Sequence, residues 1–127
     1  MTDLIEVKTA DMVGEPLNWS VAMAMGLNPS VVPAQYGVPA RVFIQQEGMF
    51  PVRYKPTVDW QVGGPLIEKH NISLHCPQSV GDVWAAWITG GGSDIAQAGD
   101  SALLAACRTI IAAKIGLLTQ VPEELLP

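Results

Sequence analysis

The sequence contains few charged residues, and few of these are basic. Charged side chains make up 15% of the 127 residues, and 7 Lys and Arg against 12 Asp and Glu give a net charge of −5. No Lys or Arg lies between His70 and Cys107. Proteins that bind nucleic acid chiefly through its phosphates need a basic surface. The charge balance therefore argues against nucleic acid as the main partner, although a thin basic cluster is present at Arg41, Arg53, Lys55 and Lys69.

Long apolar runs and export signals are also absent. No apolar run reaches the roughly 18 residues that cross a bilayer, and the first residues, MTDLIE, lack the basic start and apolar stretch of a signal peptide. We therefore expect a cytoplasmic protein with no membrane partner. The only cysteines, Cys76 and Cys107, are expected to be free thiols, because a reducing compartment disfavours disulfides.

The sequence is rich in apolar residues. Apolar residues account for 49% of the chain, and a chain of this length buries about two thirds of its unfolded surface in one core. We therefore predict a single domain over residues 1–127, with too few polar side chains to cover it completely. Some apolar surface should meet another molecule.

Local patterns predict a mixture of strands and helices. Residues 4–8 alternate as a half-buried strand, residues 15–25 have helical spacing, and the proline-rich segment 28–39 predicts a loop. Residues 41–46 and 49–54 flank Glu47-Gly48 as a β-hairpin, whose second arm contains Pro51 and should be an edge strand.

The second half begins with a predicted loop over residues 55–65, then a helical turn at 66–70 and a short strand at 72–76. Residues 83–88 are apolar at both odd and even positions, which predicts a strand near the sheet centre that is covered on both faces. Residues 89–99 contain three adjacent glycines, Gly90 to Gly92, and predict a flexible connector.

The last helix is predicted from residue 100 or 101 to Ile115, with Gly116 as its stop. Apolar residues cover most of its circumference, so it should be the most buried element, lying either centrally or at a subunit contact. The leucines of the acidic tail 117–127 are expected to fold back onto the body. Together these elements predict an α+β domain with an antiparallel or mixed sheet of four to five strands packed by two main helices.

Familiar catalytic and metal motifs are not found. His70, His75, Cys76 and Cys107 fit no zinc spacing, and a strand would direct His75 and Cys76 to opposite faces. Cys107 lies among apolar helix positions, where burial makes a thiol unreactive. Gly90 to Gly92 lack the following helix and lysine of a phosphate loop. We predict no cofactor, no metal and no identifiable catalytic residue.

Tryptophan is the unusual aromatic, with 4 Trp against 2 Phe and 2 Tyr. Whichever of Trp84 and Trp87 faces the last helix should pack in the core, whereas Trp60 lies on a predicted loop and is the best candidate for recognition. Adjacent glycines allow close approach of another group to the backbone near it. The predicted binding residues are Asp59, Trp60, Gly63, Gly64, Glu68, His70 and Trp84.

Several blocks of the sequence, in order, resemble the NinX-type family of small phage and prophage proteins. The most specific is 54–68 (YKPTVDWQVGGPLIE), accompanied by 7–11 (VKTAD), 17–22 (LNWSVA), 103–116 and 121–125 (VPEEL). The chain departs from the family pattern in segments 28–51 and 90–94. The resemblance implies a phage or prophage protein expressed in the bacterial cytoplasm, and it brings no catalytic residues.

Two functions from different classes remain open at this point. The first is an accessory phage protein that binds a host or phage protein and forms homo-oligomers through apolar surface around Trp60 and the last helix. The alternative is a small enzyme or metabolite-binding protein with a pocket at Asp59, Trp60, Glu68, His70 and Trp84, in which two polar groups converge.

Overall fold

The structure is a computed structural model that describes residues 3–89 and 94–126. Within these residues three helices alternate irregularly with eight strands. The helices are α1 (Gly14–Ala24), α2 (Trp60–Lys69) and α3 (Ala102–Lys114). The strands are β1 (Leu4–Lys8), β2 (Ser30–Val32), β3 (Arg41–Ile44), β4 (Val52–Arg53), β5 (Ser73–His75), β6 (Trp84–Ile88), β7 (Ile95–Gly99) and β8 (Leu118–Pro122).

The described strands form three small antiparallel sheets, in the orders β1-β8, β2-β3-β4 and β5-β6-β7. The predicted class, a single α+β domain, is confirmed. Two of the sheets pair strands that are neighbours in the sequence, and the third joins the first strand to the last.

Helix α3 is the centre of the fold. Leu103, Cys107, Ile110 and Ile111 are each no more than 3% exposed, and the helix packs against β6, β7, α1 and α2. The sequence predicted that this helix lies either at the centre of the domain or at a subunit contact, and the central position is correct. The expectation that the last helix offers an apolar face to a partner is wrong for most of its length, because the chain's own strands and helices cover it; Ala113 in its last turn and Ile115 just after it are exposed.

The two chain ends are joined to each other. Strand β1 pairs with β8 along its full length, and Thr9 fixes the end of this ladder by donating to the Gly116 carbonyl at 2.6 Å and contacting the Thr119 hydroxyl at 2.8 Å. Leu125 is buried against the core. The prediction that leucines of the tail fold back onto the body is thus confirmed for Leu125.

The hairpin of β3 and β4 is confirmed, with β4 at the edge of its sheet directly after Pro51. Three predicted loops are corrected. Segment 28–39 contains β2, because Val31 and Val32 pair with β3 between two prolines. Residues 95–99 form β7, paired with β6, instead of a connector. Gly90 to Gly92, where the connector was predicted to be most flexible, lie outside the described residues.

The third correction concerns α2, which begins at Trp60 where a loop was predicted. Two glycines and a proline give this segment poor helix propensity. The close packing of Gly63 against Pro56 and Leu103 nevertheless holds it in a helix. Among the helices of the described chain, none is long and apolar enough to cross a bilayer.

Candidate functional site

Trp60 is the first residue of α2, and Asp59 caps this helix. The Asp59 Oδ1 atom accepts a hydrogen bond from the Gln61 backbone N–H at 3.0 Å. A capping aspartate satisfies one of the free N–H groups at a helix start and is favoured by the helix dipole. Asp59 therefore has a structural task that accounts for its position.

Gly63 is buried because α2 passes very close to neighbouring backbone. A Cβ atom at this position would lie 2.5 Å from the Pro56 carbonyl oxygen and 2.7 Å from Leu103 Cδ2. No side chain fits there, so only glycine lets α2 approach α3 this closely. Gly64 differs, since a Cβ atom there would lie 3.6 Å from Trp60 Cε3, an ordinary contact.

The segment before α2 is held by Asn18 of α1. The Asn18 Oδ1 atom accepts from the Thr57 N–H at 3.2 Å and from the Thr57 hydroxyl at 2.9 Å, while its amide donates to Glu15 at 2.7 Å. Asn18 and Thr57 are 3% and 4% exposed. Sequence reasoning did not single out these two residues, although both lie in blocks that carry the family resemblance.

Trp60 itself is 57% exposed, and Val58, two residues before it, is 70% exposed. The structure thus presents a large aromatic side chain to solvent on a segment whose backbone is fixed at Thr57 and Gly63. Rigid aromatic side chains of this kind are enriched at protein-binding sites because little conformational entropy is lost on binding.

The other predicted site residues do not gather around Trp60. Glu68 is exposed on α2, and His70 ends the helix, about 16 Å along its axis from Asp59. Nδ1 of His70 lies 2.9 Å from the Leu66 carbonyl, and Nε2 is buried with no hydrogen-bond partner among the described residues. Trp84 lies on β6, partly buried against the core.

This arrangement bears on the enzyme alternative. Catalysis by paired polar groups requires them to meet at one substrate, but the structure puts Asp59 and His70 at opposite ends of α2. Neither of the two apolar pockets described below is lined by any predicted site residue. The structure therefore does not bring Asp59 and His70 together at one substrate.

The two arginines of the thin basic cluster are engaged within the protein, whereas Lys55 and Lys69 are exposed. Arg53 forms an ion pair with Glu15 at 2.6 Å and donates to the Val42 carbonyl at 3.0 Å. The guanidinium groups of Arg41 and Arg53 lie 5.5 and 5.9 Å from the centre of the Phe43 ring, within the range of cation–π attraction. These contacts stabilise the hairpin, and the ion pair with Glu15 neutralises the charge of Arg53.

Metal and thiol chemistry find no support among the described residues. Within 3–89 and 94–126, no three His, Cys, Asp or Glu side chains lie close enough together to hold a metal ion. Cys76 is exposed and Cys107 is buried, and both are free thiols, as predicted. Burial raises the pKa of Cys107 to about 12, so its thiol stays protonated and unreactive near neutral pH.

An apolar groove that sequence reasoning missed lies between β1, the start of α1 and the tail. Two adjoining pockets of about 420 and 270 Å³ share Val13, Pro16 and Leu126. Lys8 and Asp11 lie in the wall of the larger one. Sequence reasoning did not connect these residues, because the groove forms only where residues 7–16 meet the tail.

Comparison with known proteins places the chain in a family. No curated protein matches the sequence. The family described as "Bacteriophage P22, NinX" matches residues 8–114, which include α1, α2 and the whole of α3. Because this match covers most of the sequence, the chain belongs to the bacteriophage P22 NinX family.

Proposed function

We propose that this phage-family protein is an accessory protein that acts in the cytoplasm of the bacterial host by binding a host or phage protein through the exposed start of α2. Its binding residues are Trp60 and Val58, with Asp59, Gly63 and Gly64 holding them in place. The chain also self-associates. The proposal depends chiefly on one observation, the exposure of Trp60 on a rigidly held helix start.

Physical chemistry supports a binding role for this position. Leaving a tryptophan in water forgoes the burial of a large apolar area, worth about 1.5–3 kcal/mol for a large apolar side chain. Other large apolar residues are buried in the core, whereas Trp60 is 57% exposed. A partner that covers Trp60 and Val58 recovers this burial, and the fixed backbone lowers the entropy lost on binding.

The partner is expected to be a protein instead of a nucleic acid. The chain has a net charge of −5, and the arginines nearest in sequence are engaged with Glu15 and Phe43. Glu68 also lies along α2 on its exposed side. A partner surface with an apolar pocket for the indole and a basic rim would fit this face.

The experiment compares the wild-type protein with two variants, one that lacks the Trp60 side chain and one that lacks the Phe50 side chain. Tagged wild type, Trp60→Ala and Phe50→Ala are used to capture proteins from the induced or infected host, and captured proteins are quantified by mass spectrometry. Phe50 is a matched control because it is 90% exposed but lies on the β3–β4 hairpin loop.

We expect at least one protein that wild type and Phe50→Ala retain and that Trp60→Ala loses. The purified partner should then bind Trp60→Ala at least about tenfold more weakly, the usual loss at a tryptophan hot spot. Equal capture by all three proteins would exclude Trp60 as the contact.

A further inference from the structure

The groove between β1, the start of α1 and the tail takes no part in the proposed site at Trp60. Its larger pocket has a volume of about 420 Å³, within the range of about 300–1,000 Å³ that is usual for small-molecule sites. The side chains that line this pocket are mostly apolar: Val7, Met12, Val13, Pro16 and Leu126, with Lys8 and Asp11. The groove therefore has the size and the lining of a ligand site.

The floor of the groove is held in place by hydrogen bonds. Met12 is 3% exposed and Pro16 is buried. The Met12 N–H donates to the Thr9 carbonyl at 3.2 Å, and the Met12 carbonyl accepts from Arg108 Nε at 2.9 Å. Because this backbone is fixed on both sides, little conformational entropy is lost when a ligand binds.

Lys8 carries the uncompensated charge of the larger pocket. In the part of the chain that the structure describes, the one ion pair joins Arg53 to Glu15, and no carboxylate pairs with Lys8. Asp11, in the same wall, lies near Arg108. Burial lowers the pKa of this arginine, and the negative charge of Asp11 raises it. The pocket thus offers a positive charge to a ligand, although the protein as a whole is negative.

We infer that the groove binds a fatty acid, an unbranched aliphatic chain that ends in a carboxylate. The carboxylate lies at Lys8, and the chain runs over Met12 and past Val13 into the second pocket. This site goes beyond the proposed function. It shares no residue with the surface at Trp60 and Val58, so either site can fail without the other.

The lining favours an aliphatic body over an aromatic one. Among the described residues, no Phe, Tyr or Trp lines either pocket, so an aromatic ligand would find no ring to stack on. An aliphatic chain needs only burial against apolar side chains. The two pockets adjoin along Val13, Pro16 and Leu126, and this extended shape suits a linear chain.

Charge sets the direction of the chain in the groove. Lys8 lies in the wall of the larger pocket. The charged residues that line the second pocket are acidic, Glu15 and Glu124, and none is basic. A carboxylate is therefore stabilised better beside Lys8. The methyl end of the chain then lies toward Pro39 and Ala40, which line the second pocket.

The test is an NMR titration of the full chain with octanoate, octanol and octylammonium, which share one chain length and differ in the charge of the head group. Octanoate should bind most tightly and should shift the resonances of Val13 and Leu126. Hexanoate should bind more weakly, by about fourfold for each methylene that it lacks, if the groove buries the chain.

Two lysine variants examine the head group. Lys8→Met should weaken octanoate binding by about two- to fivefold, the usual contribution of an exposed ion pair, and leave octanol binding unchanged. Lys114→Met removes the same charge at an exposed position outside the groove, and it should change neither affinity.

Two valine variants examine the wall. Val13 is exposed and is the N-cap of α1, where aspartate is favoured, so Val13→Asp should fold. It should weaken octanoate binding at least about tenfold, because it removes an apolar contact and adds a negative charge. Val80→Asp makes the same change at an exposed position outside the groove and should bind like wild type. Circular dichroism checks that each variant is folded.

The results separate the site from the ligand. If octanoate does not bind up to about 10 mM, or if Val13→Asp and Val80→Asp bind it equally, the site is wrong. If octanol binds as tightly as octanoate, or if Lys8→Met binds octanoate like wild type, recognition of the carboxylate is wrong. N-acetyl-leucyl-leucine carries a carboxylate on a branched peptide body, and tighter binding of this dipeptide than of octanoate would overturn the choice of a fatty acid.

Discussion

Asn18 and Thr57, 39 residues apart in the sequence, form a buried polar contact that joins α1 to the segment preceding α2. Each residue lies in one of the sequence blocks that carry the family resemblance. The contact joins the two blocks in space: the first supplies a side-chain acceptor, and the second supplies the N–H and hydroxyl that donate to it. It also fixes the backbone that presents Trp60.

Replacement of this acceptor should destabilise the protein. In Asn18→Ala the buried N–H of Thr57 loses its hydrogen-bond partner, and an unsatisfied buried donor costs about 1–3 kcal/mol. Thr57→Val removes only the hydroxyl and keeps the backbone bond to Asn18, so it should cost less, about 1 kcal/mol. The free energies of unfolding are measured by urea denaturation.

The double variant Asn18→Ala/Thr57→Val closes a thermodynamic cycle. Because the hydroxyl bond is lost in each single variant, the double variant should be less destabilised than the sum of the two. Strict additivity would show that the two side chains do not interact.

The adjacent glycines of α2 should respond in opposite directions to the same substitution. Gly63→Ala forces a Cβ atom against the Pro56 carbonyl and Leu103, and we expect a loss of about 1–3 kcal/mol. Gly64→Ala meets only an ordinary contact with Trp60, and alanine raises stability inside a helix by about 0.5–1 kcal/mol. Thermal and urea unfolding measure both, and equal effects would contradict the packing described for Gly63.

Stability should fall in alkaline solution because of two buried acids. Burial raises the pKa of Cys107 from 9.0 to about 12 and that of Tyr54 from 10.0 to about 12, the latter also through the nearby Cys107. Below pH 9 both groups are protonated in the folded and the unfolded chain, so they do not make the free energy of unfolding depend on pH. Above pH 9 the unfolded chain binds fewer protons than the folded one, so the free energy of unfolding falls between pH 9 and 12. The slope is about 1 kcal/mol per pH unit for each group.

Cys107→Ala tests the assignment of this slope. The variant lacks the thiol, so its decline should begin only above pH 10, with the titration of Tyr54. Only the slope is compared, because removal of the buried sulfur also lowers stability at every pH. A decline from pH 9 that is unchanged in Cys107→Ala would contradict the role given to the thiol.

The sequence by itself determined the class of the protein, its family and the elements with strong local signals. Strand β1 alternates clearly and α3 has a serine cap and a continuous apolar surface, so the position of both is predicted correctly from neighbours in the sequence. The half-burial predicted for β1 is wrong, because Ile5 is exposed and only Val7 is partly buried. The charge balance likewise belongs to composition and needs no fold.

Only the tertiary structure decided the path of the chain around Trp60 and the distribution of open surface. Helix α2 forms against the preferences of Gly63, Gly64 and Pro65 because close packing on Leu103 outweighs local propensity. Burial of α3 and the groove beside Lys8 depend on which elements meet across long stretches of sequence. Such contacts are set by the packing of the whole core, and residue order alone does not specify them.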